Sequence, residues 1–144
     1  MEKLSSVLLV DDDSTNNFLN ELLLKSLNVT EQVLIAENGT QALALLENTA
    51  GPAEPALILL DVNMPGLNGI QFLEAYQQTS RARHAATVII MLTTTMDARD
   101  LGRLDELNIA GLVSKPLTQE KINSILQLHF QRQLPSHDPA ADTL

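Results

Sequence analysis

Leu57-Ile58-Leu59-Leu60-Asp61-Val62-Asn63-Met64-Pro65-Gly66 decides the fold. Four apolar residues run directly into an aspartate, and a Pro-Gly pair follows. A run that is apolar at every position has no solvent face, so it suits a central strand of a parallel sheet covered by helices on both sides. Pro65 and Gly66 stop the strand. Asp61 then stands at the carboxyl edge of a buried strand, where open α/β sheets carry their chemistry.

Working outward, the same grammar repeats. Val7-Leu8-Leu9-Val10 is an apolar strand that ends in Asp11-Asp12-Asp13, and Asp13 or Ser14 can cap the helix that follows. Leu19, Leu22, Leu23 and Leu27 fall at helical spacing on one face. Val33–Ala36 is a short strand, and the next helix points Ala42, Leu45 and Leu46 inward. After the Asp61 strand, a helix from about Asn68 carries Ile70, Leu73, Tyr76 and Gln77 along one stripe. Residues 79–86 read as a solvated loop with Arg81, Arg83 and His84. Val88–Leu92 is a fourth apolar strand ending in Thr93-Thr94-Thr95, and Asp97 can cap a helix that buries Leu101, Leu104 and Leu107. Gly111–Ser114 is a fifth strand, stopped by Lys115-Pro116, and Thr118 can cap a last helix lined by Ile122, Ile125, Leu126 and His129. Five strand–helix alternations predict an α/β fold, a doubly wound five-stranded parallel sheet.

Composition narrows the function. Apolar residues make up 44% of the 144-residue chain and aromatics only 3%, so the core is aliphatic. A net charge of −9 repels phosphate backbones and argues against nucleic-acid binding. There is no cysteine, hence no thiolate metal site, and no signal-like or membrane-spanning apolar run. The expectation is a cytoplasmic protein without nucleic-acid or membrane partners.

Four strand ends carry functional groups: Asp11 to Asp13, Asp61, Thr93 and Lys115. In a parallel sheet these ends share one edge. Crowded carboxylates repel one another, and Mg²⁺ relieves that with oxygen ligands in octahedral geometry. Neither cysteine nor a nearby histidine is present to anchor a softer metal. Such a site neutralises an incoming phosphoryl group, with Lys115 as a point charge and the Thr93 hydroxyl as a donor.

Together these residues resemble the receiver domain of two-component response regulators, of the CheY-like single-domain type. The elements are Val10-Asp11-Asp12, Asp61 to Gly66 with Gly69, Met91-Leu92-Thr93 and Lys115-Pro116, in order along residues 5–132. The resemblance implies a flavodoxin-like (βα)5 fold with strand order 2-1-3-4-5. It implies that Asp61 is the phosphoacceptor. Asp12 and Asp61 would ligate Mg²⁺ by side chain, Asn63 by its backbone carbonyl, and Asp11 through water. Lys115 would pair with the acceptor or its phosphate, Thr93 would move to the phosphoryl group, and Lys115-Pro116 would be a cis peptide. Asn63 and Thr95 occupy positions that tend to set acyl-phosphate lifetime, and Thr94 is bulkier than the alanine often found there. Leu112 stands where many receivers have Tyr or Phe and has no ring to rotate with the threonine, while Leu117 replaces a common Phe.

The resemblance also implies a non-enzymatic signalling role. A sensor histidine kinase or histidine phosphotransfer protein would donate the phosphoryl group, and output would pass through protein contacts. Residues 1–133 read as the receiver and 134–144 as a frayed tail with no output domain; the 97–132 face is the surface expected to switch and could supply a homodimer contact. Two other readings stand beside this one. A degenerate receiver would act as a phosphorylation-independent interaction module. A haloacid-dehalogenase-like phosphatase would use Asp11, because Asp11-Asp12-Asp13-Ser14-Thr15 fits D-x-D-x-T, but it leaves Asp61 without a role.

Overall fold

The computed structural model describes residues 3–47, 55–62, 64, 69–78, 87–93 and 109–131. Within them the order is β1 (Val7–Val10), α1 (Ser14–Ser26), β2 (Val33–Ala36), α2 (Gly39–Glu47), β3 (Leu57–Asp61), α3 (Gly69–Gln77), β4 (Val88–Thr93), β5 (Gly111–Ser114) and α4 (Gln119–Phe130). The strands form one parallel sheet in the order β2-β1-β3-β4-β5. The helix expected after Asp97 and the loop at 79–86 lie outside the described residues.

The period-two alternation of a strand sorts the core into two layers. Leu8, Val10, Ile58, Leu60, Ile89 and Met91 face the side covered by α2 and α3. Val7, Leu9, Leu57, Leu59, Ile90 and Leu92 face the side closed by Leu24 of α1 and by Ile122, Ile125 and Leu126 of α4. All five positions of β3 are buried, as an apolar run without a solvent face requires. The edge strands are partly open: Ile35 on β2 and Leu112 on β5 are exposed.

The helices follow the expected stripes, with an addition on α3 and a correction on α1. Ala42 and Leu46 are buried on α2, and Ile70, Leu73 and Tyr76 on α3. Phe72, missed by the stripe, is fully buried and stacks on Tyr76 with ring centroids 5.9 Å apart. On α1, however, the buried residues are Asn17 and Leu24, while Leu19 and Leu22 stand exposed beside Phe18; Leu23 and Leu27 are half-buried. The cause is a polar anchor. Asn17 Nδ2 donates to the backbone carbonyl of Asp11 at 2.8 Å, which turns the 17/24 face, seven residues apart, onto the sheet. Asp13 caps α1, accepting from Thr15 N and Asn16 N, and Thr118 caps α4, accepting from Lys121 N. His129 is half-buried on α4 near Gly111, in keeping with packing.

Candidate acidic phosphoacceptor site

Parallel register brings the strand ends to one edge. Asp61 pairs with Leu92 and Thr93 with Ser114, so β3, β4 and β5 finish almost level. Asp11 follows β1, its N–H donating to Ala36 O at 3.1 Å, and Lys115 follows β5, its N–H donating to Thr93 O at 2.8 Å. Asp11, Asp61 and Thr93 are buried; Asp12 is exposed.

Carboxylate oxygens of Asp11, Asp12 and Asp61 lie within 4.8 Å of one another. Lys115 Nζ sits 3.0 Å from Asp61 Oδ1 and 3.3 Å from Asp11 Oδ2. The Lys115 side chain is 19% exposed and the two carboxylates 5%, so solvent screens these pairs far less than surface ones. Burial of the ammonium pulls its pKa down. The hydrogen bond to Asp61 and the charges of Asp11 and Asp61 outweigh that, and the pKa is raised above the ordinary lysine value. Lys115 is therefore cationic at neutral pH.

Asp11 is held from three further directions. Its Oδ1 accepts from Asp13 N at 2.9 Å, its Oδ2 from Asn16 Nδ2 at a long 3.5 Å, and its carbonyl from Asn17. On the other side, Gly69 begins α3 so close to the Asp61 strand that a Cβ there would fall 2.5 Å from Asp61 O and 2.9 Å from Val62 Cα. Only glycine lets that helix start where it does. A groove of about 390 Å³ opens beside Asp11 and Lys115, floored by Leu19, Leu23, Leu92 and Leu117.

Asp11, Asp12, Asp61, Thr93 and Lys115 thus converge, and the Lys115–Pro116 peptide is cis. Leu112 lies on β5, 42% exposed, and Leu117 is buried below the loop. Asn63, Thr94, Thr95, His84 and His137 lie outside the described residues. Asn16 and Asn17 were missed. The signal for Asn17 was a polar residue two helical turns from Leu24 in a leucine-rich helix. Asp13 acts as a helix cap, the lesser of the two roles an aspartate after a strand can take. The donor set is entirely hard oxygen, which suits Mg²⁺ and offers nothing to soft metals.

A five-stranded parallel α/β sheet with three carboxylates and a lysine at its carboxyl edge defines a flavodoxin-like acidic pocket. The response regulator receiver domain model matches residues 7–127, and the chain belongs to that family. It is 34% identical over 148 residues to the transcriptional regulatory protein CpxR of Escherichia coli K12, across 98% of this chain and 58% of that protein. It thus spans little more than half the length of that relative. It is 29% identical to the chemotaxis protein CheY of Pseudomonas aeruginosa, across 88% of this chain and 96% of that one. Among solved structures, a two component response regulator from Cytophaga hutchinsonii superposes with a TM-score of 0.80 at 28% identity, covering 91% of this chain and all of that one. Receiver membership sets aside the phosphatase reading of Asp11 to Thr15. Among the described residues no helix is long and apolar enough to cross a membrane.

Proposed function

We propose that this receiver accepts a phosphoryl group on Asp61 from a phosphohistidine of a sensor kinase or phosphotransfer protein, with Mg²⁺ bound at the acidic cluster. The observation that carries it is the buried Asp61 carboxylate, 3.0 Å from a cation and within 4.8 Å of two other carboxylates. An aspartate placed for structure alone would not be surrounded this way at a strand end.

Asp12 and Asp61 would hold the ion by side chain, Asn63 by its carbonyl and Asp11 through water, and a bound Mg²⁺ would neutralise the carboxylates and the phosphoryl oxygens. In the transfer, an Asp61 carboxylate oxygen forms a bond to phosphorus, the N–P bond of the phosphohistidine breaks, and the electron pair leaves with the imidazole. Lys115 keeps Asp61 oriented before transfer and offers its positive charge to a phosphoryl oxygen afterwards. Thr93, at the end of β4, would donate its hydroxyl to another. The donor docks on the apolar rim: Phe18, Leu19 and Leu22 are exposed on α1, continuous with the leucine-floored groove at the site's mouth. The acyl phosphate carries about two negative charges where the carboxylate carried one, and the roughly one added charge then biases the 97–132 face between two states.

The test is incubation with Mg²⁺ and phosphoramidate or acetyl phosphate, read by intact mass. One phosphoryl group gained by the wild type, and lost in Asp61→Asn or without Mg²⁺, is the expected result. No gain, with beryllofluoride also failing to bind, would favour a phosphorylation-independent module.

A further inference from the structure

Lys121 stands at the third position of α4, after the Thr118 cap. A lysine is out of place there. The N-terminal turn of a helix disfavours positive charge, and a threonine cap is usually matched at this position by Glu or Gln. What offsets the misplacement is the β5–α4 loop. Lys121 Nζ donates to Ser114 O at 2.7 Å, to Ser114 Oγ at 3.2 Å and to Pro116 O at 2.9 Å. An ammonium has three donors, and all three are spent on the two residues that flank Lys115.

We infer that Lys121 is a positioning residue that clamps the loop on both sides of Lys115 and so fixes the ammonium between Asp11 and Asp61. Without the clamp, Lys115 is tied among the described residues by one backbone bond, its N–H to Thr93 O at 2.8 Å, and by its own charge pairs. A loop at a sheet edge with so few ties opens locally at low cost. Among the described residues the Lys121 ammonium bonds the loop and neither carboxylate, so it acts only through the loop.

The inference deepens the phosphoacceptor reading of Asp61 and rests on it, so the test has two readouts. The first is phosphorylation by phosphoramidate with Mg²⁺ in the wild type, Lys121→Met, Lys115→Met and the double variant. Lys121→Met should slow acyl-phosphate formation roughly 3- to 10-fold, because small misplacements of a charge-stabilising group cost rate. In a Lys115→Met background the same change should cost less than about twofold, since the clamp then has nothing to position. Equal slowing in both backgrounds, or none in either, would overturn the inference. The second readout does not need phosphorylation. Lysines occur only at 3, 25, 115 and 121, so acylation by an amine reagent in Mg²⁺-free buffer can be followed residue by residue. Lys115 should react at least about threefold faster in Lys121→Met, as local opening exposes it, with Lys3 and Lys25 unchanged; an unchanged Lys115 rate overturns the clamp. A wild type that takes no phosphoryl group sinks the phosphoacceptor reading alone, and the footprint still decides whether Lys121 holds Lys115. If Lys121→Met fails to fold, Lys121→Gln, too short to span both carbonyls, replaces it with the same expected directions.

Discussion

β3 and β5 are both short, parallel and apolar in sequence, and each delivers one half of the central charge pair. They are built in opposite ways. β3 has a strand on either side and helices over both faces, and every one of its residues is buried. β5 is an edge strand whose residues alternate between half-buried and exposed. Asp61 therefore inherits its position from a backbone enclosed on every side. Lys115 reaches its place on a long side chain from a loop held by a handful of local hydrogen bonds. On the proposed function this divides the work: an acceptor oxygen would need a fixed position, whereas a flexible cation could follow the charge from carboxylate to phosphate.

Substitution at the centre of β3 is the strongest way to expose that contrast. Ile58 is fully buried between two strands. Ile58→Ala should destabilise the fold by about 2–5 kcal/mol through lost transfer energy and a residual cavity. Denaturant midpoints at constant slope would measure it. Gly69→Ala comes next, at about 1–3 kcal/mol. Its Cβ presses on Asp61 O and Val62 Cα, both backbone atoms, so the end of β3 itself must shift. Phosphorylation should therefore fall alongside stability, and a Gly69→Ala protein that labels at the wild-type rate would show that Asp61 tolerates more movement than β3 suggests.

How much of this was legible in the sequence follows the same division. The central strands were readable because an unbroken apolar run has few other uses. The strand order was not; it came with the resemblance, since period-two patterns do not say which strands are neighbours. α1 was misphased because leucines or phenylalanine occupy 18, 19, 22, 23, 24 and 27, nearly all around the helix, and an apolar count cannot choose among such faces. The phase was set by Asn17, a polar residue that such counts ignore. The site's charged residues were legible from their strand-end positions. Lys121 was not, because a lysine in a polar helical turn looks like any solvated charge until its three acceptors are seen.

A weaker effect sits at the charge pair and sharpens the comparison through pH. Lys115 has a raised pKa in the folded protein, so its pairing with Asp61 and Asp11 stabilises the fold in full below the ordinary lysine value of 10.5. That contribution is lost as pH rises past 10.5 through the higher folded value. In the presence of a chelator, the stability gap between wild type and Lys115→Met should be constant at neutral pH and narrow under alkaline conditions. A gap that stays constant throughout would place the effect of Lys115 in packing of its stem instead of charge.

The smallest effect belongs to the edge. Leu112 is 42% exposed on β5, and its neighbour in register, Met91, is fully buried on β4. Leu112→Ala removes side-chain surface that is largely wet already, so the loss should stay within about 0.5 kcal/mol. Ile58→Ala and Leu112→Ala delete comparable volumes from two strands of the same sheet, and the ratio of their costs isolates what being central contributes. A Leu112→Ala cost approaching that of Ile58→Ala would mean that Leu112 is buried in solution. The edge would then be as constrained as the centre, and the freedom assigned to Lys115 would have to come from its side chain alone.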